Sequence, residues 1–387
     1  MMKRLISAGI IALFLILCFT YSIKCPQPVG KPTESEVADI SDESSSNDFS
    51  LAKYKENHPK VRGIYVTGPT AGTERMDDIL KLINDTELNA IVLDVKDDKG
   101  NISFNMNNPD VIETGACIPY IHDIKALMKK LKDNNIYVIG RIPCFKDPIL
   151  ASAKPELGLR TLEGDAVTDA GGNAWVNPCK QEVWDYIISI AQTCGELGFD
   201  EIQLDYVRFP VGVNADKAYY GSPSDNVSRQ KYINDFVIKI SDTLHKDGVP
   251  VTADVFGTII KSSLDSKHIG QDYKQLASSL DCICPMVYPS HYASGEFGLE
   301  TPDAKPHDTI FYALDGSKKV LADVPESECA VIRPWLQAFT ATWVEGYLEY
   351  DGDAIRKQID AVYESGYEEW ILWNSKSNYS SDGLAIK

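Results

Sequence analysis

The chain has 387 residues, 44% of them hydrophobic, so it can bury a large core, and one barrel-sized domain accounts for most of it. Its formal net charge of −18 argues against nucleic acid and against a globular surface that binds anionic lipid. No block of basic residues offsets that charge.

Lys3 and Arg4 precede an uncharged, mostly apolar run from Leu5 to Ile23, about the length that spans a bilayer. Basic residues before the run predict a cytoplasmic N-terminus and an exported remainder. Residues 1–23 are therefore expected to be an uncleaved signal anchor, with a cleaved signal peptide as the alternative. Leu17 before Cys18 disfavours lipidation. Residues 24–58 are rich in Pro, Ser, Glu and Asp and read as a disordered linker. The domain expected from 59 to 387 then hangs outside the membrane, most simply as a monomer.

After Pro59, short apolar runs alternate with helical ones. Strands are predicted at 61–68, 90–96, 136–143, 201–208, 251–257, 282–288, 329–337 and 369–374. Helices are predicted near 75–84, 120–134, 180–197, 228–247, 271–280, 307–322 and 352–365, with a small hairpin at 99–104. Eight strands with intervening helices predict a (β/α)8 TIM barrel. The long segments 144–179, 209–227 and 289–306 would then form its active-site rim.

Alternation along each strand sends polar side chains inward near many strand ends. Tyr65, Asp94, Lys96 and Arg141 come from the first three strands, and Gln203, Asp205 and Asp254 from the next two. Tyr288, Arg333, Trp335, Gln337, Trp373 and Asn374 follow from the last three. Arg208 and His291 stand on the loops beyond. Asp94, Lys96 and Arg141 have an equally good reading as a neutralising network, and Arg208 as a brace for Asp205 or a loop carboxylate.

Carboxylates among aromatics suit sugars, because rings stack on the C–H face of a pyranose while polar groups bond its hydroxyls. Glycoside hydrolysis needs two carboxyls, and Asp205 and Asp254 on adjacent strands are the simplest pair. Asp254 is expected to be the acid, with Glu296 and Glu345 as loop alternatives. The six histidines show no HExxH pattern, no Cys/His cluster suggests zinc, and no phosphate loop is present, so neither metal nor cofactor is expected. Cys282 and Cys284 read as small core residues. A barrel of the same shape that only binds carbohydrate is the alternative; an esterase or deacetylase is disfavoured for want of a Gly-x-Ser-x-Gly elbow.

Four segments carry a resemblance: Val61-Arg-Gly-Ile-Tyr-Val-Thr67, Asn89-Ala-Ile-Val-Leu-Asp-Val-Lys-Asp97, Gly198-Phe-Asp-Glu-Ile-Gln-Leu-Asp-Tyr-Val-Arg-Phe-Pro210 and Pro285-Met-Val-Tyr-Pro-Ser-His291. Over residues 59–380 the chain resembles the "putative glycosyl hydrolase domain" family of bacterial exported proteins. The resemblance implies a TIM barrel related to α-amylase-like glycosidases, with the nucleophile on strand 4 at Asp205 and the general acid on strand 5 at Asp254. The strand-4 motif is also similar to that of family 18 chitinases. There Val207 stands where their catalytic Glu belongs, which argues against substrate-assisted chemistry.

Overall fold

A computed structural model describes residues 49–221 and 228–387. The expected membrane segment at 1–23 and most of the linker lie outside the described residues. Among those described, no helix is long and apolar enough to cross a membrane.

Eight parallel strands close into a barrel: β1 (Arg62–Val66), β2 (Ala90–Asp94), β3 (Tyr137–Pro143), β4 (Glu201–Asp205), β5 (Val251–Phe256), β6 (Cys282–Met286), β7 (Val331–Ile332 and Trp335–Gln337) and β8 (Trp370–Trp373). Each pairs with the next, and β8 returns to β1 through Arg62 opposite Trp370. All eight expected strands are present, each shorter than its apolar run. Strand β7 breaks at Arg333-Pro334, because proline has no N–H to give the ladder.

Two side-chain periods build the layers. Along β1 and β2, Ile64, Val66, Ile91 and Leu93 face the helices, while Tyr65, Ala90 and Val92 fill the barrel. Helix Arg75–Asp85 buries Met76, Ile79, Leu80 and Ile83, the i, i+3, i+4, i+7 stripe that seats it on the outer face. Helix Ile124–Asp133 does the same with Ile124, Leu127, Met128 and Leu131. Each such burial contributes roughly 1.5–3 kcal/mol.

The helix expected from 120 begins later, since Cys117–Ile121 is a strand and Asp123 caps the helix at Ala126 N–H. The turn expected at 99–104 does fold back, with Lys96 bridging Ile102, and Ile102–Phe104 then pairs in parallel with Cys117–Ile121. Helix Ser263–Ile269 was not expected, although Ser262 accepting from Asp265 N–H is the Ser-x-x-Asp start signal.

The linker reading for 24–58 is corrected at its end. Leu51–Asn57 is a helix, and its Tyr54 lies buried at the N-terminal mouth of the barrel. Tyr54 Oη donates to Glu201 Oε2 (3.0 Å) and accepts from Arg333 Nη2 (3.1 Å). Arg333 also donates to Glu201 Oε1 (2.6 Å) and Glu369 Oε2 (2.8 Å), and His58 reaches Glu369 Oε1 (2.6 Å). One apolar face and one well-placed hydroxyl suffice to fold a segment whose composition reads as unstructured. Arg333 accordingly belongs to the floor of the barrel and not to the ring at its top.

Candidate active site

The C-terminal ends of the strands surround a cleft of ≈ 600 Å³. At its base lies Arg141 of β3, with a side chain only 2% exposed. Its Nε (3.0 Å) and Nη2 (2.5 Å) donate to Asp205 Oδ2, its Nη1 to Asp94 Oδ1 (2.7 Å) and its Nη2 to Asp98 Oδ1 (2.8 Å). Tyr65 Oη adds a bond to Asp94 Oδ2, and the rings of Tyr65 and Trp373 stack at 4.1 Å, with the Arg141 guanidinium 5.6 Å from each.

Burial pushes the Asp94 carboxyl up to about 6, even though Arg141 and Tyr65 pull it down. Burial also works on Asp98, but there Arg141 and Lys146 prevail and hold it at about 2. Strand β4 ends at Asp205 because Tyr206 turns left-handed (φ 48°), a conformation that costs a bulky residue roughly 1–3 kcal/mol. The turn aims Tyr206 N–H at Asp205 Oδ1 (2.6 Å) and brings Tyr206 Oη to Asp98 Oδ2 (2.8 Å). Strict alternation along β4 would put Tyr206 on the helix-facing side with Ile202 and Leu204; the left-handed turn brings it to the cleft wall instead.

Asp254, on the neighbouring strand, has the opposite surroundings. It is 2% exposed, and burial followed by the charge of Asp205 drives its carboxyl well above the usual range. Trp335 Nε1 donates to its Oδ1 at 2.6 Å. Two carboxyls on one cleft thus have opposite surroundings, one bonded by a guanidinium and the other desolvated beside it, the kind of contrast that sets an acid–base pair apart.

Eight residues singled out from sequence line this cleft. Asp205, Asp254, Arg141 and Arg208 supply charge and protons, while Tyr288, His291, Trp335 and Trp373 supply rings. Burial lowers His291, which lies T-shaped to Tyr288. Besides Arg333 at the floor, six others stand elsewhere. Tyr65 and Asp94 form a layer beneath Arg141. Lys96 is fully buried against Asp147 Oδ2 (2.6 Å) and near the Tyr186 ring, on the helix side of β2. Gln203 lies inside the barrel with neither amide atom bonded among the described residues. Gln337 is spent on Asp303 Oδ1, Phe339 O and Ser290 N–H, and Asn374 on Ala338 O and two local N–H groups. Both tie loops together, and neither lines the cleft. Among the described residues Arg208 pairs with no carboxylate: it is framed by the rings of Trp175, Tyr206 and Phe256.

The cleft also holds Asp98, Asp265 and His268, none of which falls at an inward strand position. Asp98 is the most legible of them, four residues beyond Asp94 in the charged run that leaves β2. Among the described residues, no group of three or more His, Cys, Asp or Glu is placed to hold a metal ion. Cys282 and Cys284 are free buried thiols.

No curated protein matches the sequence. Among solved structures, a hypothetical protein from Ruminiclostridium thermocellum ATCC 27405 is 39% identical over 50% of this chain and 97% of that one, with a TM-score of 0.46. The glycoside hydrolase domain of PgaB (BpsB) from Bordetella bronchiseptica is 12% identical over 82% of this chain and 95% of that one, with a TM-score of 0.58. Alpha-L-fucosidase isoenzyme 2 from Paenibacillus thiaminolyticus is 15% identical over 83% of this chain and 47% of that one, at 0.54. The last two likenesses are of fold, and both are to glycosidase barrels. The family described as "putative glycosyl hydrolase domain" matches residues 63–379, and the chain belongs to that family.

Proposed function

We propose that this protein is a retaining glycoside hydrolase acting on an oligo- or polysaccharide outside the cell, tethered by its N-terminal segment. The observation that carries the reading is the contrast between Asp205 and Asp254 on one cleft: the first is held by Arg141 and Tyr206 N–H, the second raised above the usual carboxyl range by burial. Asp254 gives its proton to the glycosidic oxygen as the C1–O bond breaks, and an Asp205 oxygen forms the new bond to C1. Asp254, now a carboxylate, takes a proton from water, whose oxygen replaces Asp205 at C1. Both carboxyls return to their starting states.

A substrate longer than one sugar is supported by a second hollow of ≈ 390 Å³ that shares Gly257, Thr258, Asp265, His291 and Tyr292 with the cleft. Trp343, 68% exposed, stacks on Phe339, which in turn meets Tyr288 on the cleft wall, a path suited to sugar faces. The extracellular tether is supported by Lys3, Arg4 and the apolar run from Leu5 to Ile23.

The test is Asp205→Asn assayed on a glycan panel, with circular dichroism to check the fold. Cleavage is expected to cease, and the first-formed sugar of the wild type should retain its anomeric configuration. Unchanged turnover in a folded Asp205→Asn variant would remove the assignment. A binding-only barrel is the second reading, favoured by the three hydrogen bonds already on Asp205, which blunt a nucleophile. A glycan that binds wild type and Asp254→Asn equally, and is never cleaved, would establish it.

A further inference from the structure

Three arginines are buried in the described barrel, and two of them are saturated by carboxylates. Arg141 holds Asp94, Asp98 and Asp205, and Arg333 holds Glu201 and Glu369. Arg208 differs. It is 8% exposed, lines the cleft, and among the described residues makes one hydrogen bond, from Nη1 to Phe209 O at 3.0 Å. A guanidinium has five N–H donors, so most of its capacity faces the cleft unused.

No carboxylate among the described residues forms an ion pair with Arg208. The two whose charges act on it, Asp205 and Asp169, are already paired, with Arg141 and with Lys146. Burial outweighs both and pulls the guanidinium below its ordinary value, the mark of a cation without a counter-ion. Asp265, also on the cleft wall, is not among the charges acting on it.

The surroundings fix the geometry of what is missing. Trp175, Tyr206 and Phe256 lie with ring centroids 4.8, 5.4 and 4.7 Å from the guanidinium carbon, which orients the fork and excludes water around it. A planar fork in an apolar frame recognises paired anionic oxygens far better than neutral hydroxyls.

We propose that Arg208 binds an anionic group on the substrate, a uronate carboxylate or an ester sulfate or phosphate, so that this cleft takes an acidic glycan. The inference rests on the glycosidase reading for the sugar, and on Arg208 alone for the charge. The anion lies against Arg208 while the scissile bond lies between Asp205 and Asp254, so recognition and cleavage use separate groups.

The experiment is titration calorimetry and cleavage with the full chain on uronate oligosaccharides, their carboxyl-reduced neutral counterparts, and sulfated and phosphorylated neutral oligosaccharides. Wild type should bind one acidic series about tenfold or more tightly than its neutral counterpart. Which series does so identifies the oxyanion. Arg208→Gln should erase that preference, and Arg208→Lys should keep part of it. Equal affinity for acidic and neutral glycans in the wild type overturns the proposal and leaves the glycosidase standing. So does an Arg208→Gln variant that weakens both series alike, because the residue is then a structural brace. Failure to bind or cleave any glycan removes the glycosidase reading, and this proposal with it.

Discussion

Replacing Arg141 by Met tests the electrostatic account of the site most directly. The change keeps most of the buried volume and deletes the one cation shared by Asp94, Asp98 and Asp205. The side chains of Asp94 and Asp205 are 4% and 12% exposed, so neither recovers hydration when its partner goes. Removing one member of a buried pair costs about 3–5 kcal/mol, a large share of a typical stability of about 5–15 kcal/mol. Asp94, already at about 6 in the native protein, can escape part of the cost by taking up a proton. The lower half of that range is therefore expected at pH 7.5.

The sign with pH follows from the same groups. Asp98 is held at about 2, below its unfolded value, so its contribution is present above that value and lost as pH falls through about 2. Without Arg141 the main source of that depression is gone, leaving only Lys146 and the Tyr206 hydroxyl on Asp98, and the orphaned carboxyls take up protons more readily as pH falls. The deficit relative to wild type should be largest near pH 7.5 and clearly smaller at pH 4.5. Urea denaturation of both proteins at the two pH values measures it. A deficit below about 1 kcal/mol at pH 7.5, or one of equal size at both, would refute the network as the source of stability.

Two further outcomes follow from the carboxyls and the barrel floor. Asp254→Asn should lower kcat on ordinary glycosides by about 10²–10⁴ and spare aryl glycosides whose leaving group needs no proton, with loss of the alkaline limb of the pH profile; equal losses on both substrates would contradict an acid role. The same variant should melt higher than wild type at pH 7, because a raised carboxyl gives stability below its unfolded value that fades as pH rises; an unchanged melting temperature would count against the burial of Asp254. Tyr54→Phe removes the hydroxyl between Glu201 and Arg333 and should cost about 1–3 kcal/mol with activity per folded molecule intact; a melting temperature equal to wild type would show the floor to be dispensable.

The barrel was legible because eight apolar runs and seven helical stripes repeat with the right periods, and the two cleft carboxyls because Asp205 ends β4 and Asp254 lies near the end of β5. Depth was not legible. Period 2 gives the face of a strand, and Glu201, Gln203 and Asp205 share one face of β4. Their fates still diverge: Glu201 meets Arg333 at the floor, Gln203 sits in the interior, and Asp205 meets Arg141 at the top. The level reached depends on the stagger between strands, which no single strand encodes. Arg333 and Gln337 were misplaced for that reason, since β7 is offset and broken at Pro334. Tyr206 was misplaced for another: one left-handed residue ends the alternation that places its ring outward.

The same stagger explains why chemistry belongs at one end of the barrel when both ends carry a buried arginine and two or more carboxylates. At the floor, Glu201, Glu369 and Tyr54 occupy Arg333, and helix Leu51–Asn57 covers that cluster. Every charge there is spent within the protein. At the top, Arg141 is as fully engaged, but the cluster is left incomplete in two places: among the described residues Asp254 is buried without an ion-pair partner, and Arg208 keeps open donors. A folded chain bears such costs where a ligand removes them. The two unfinished groups face one cleft, and the proposed substrate answers both: a bond that takes a proton from Asp254, on a molecule carrying an anion for Arg208.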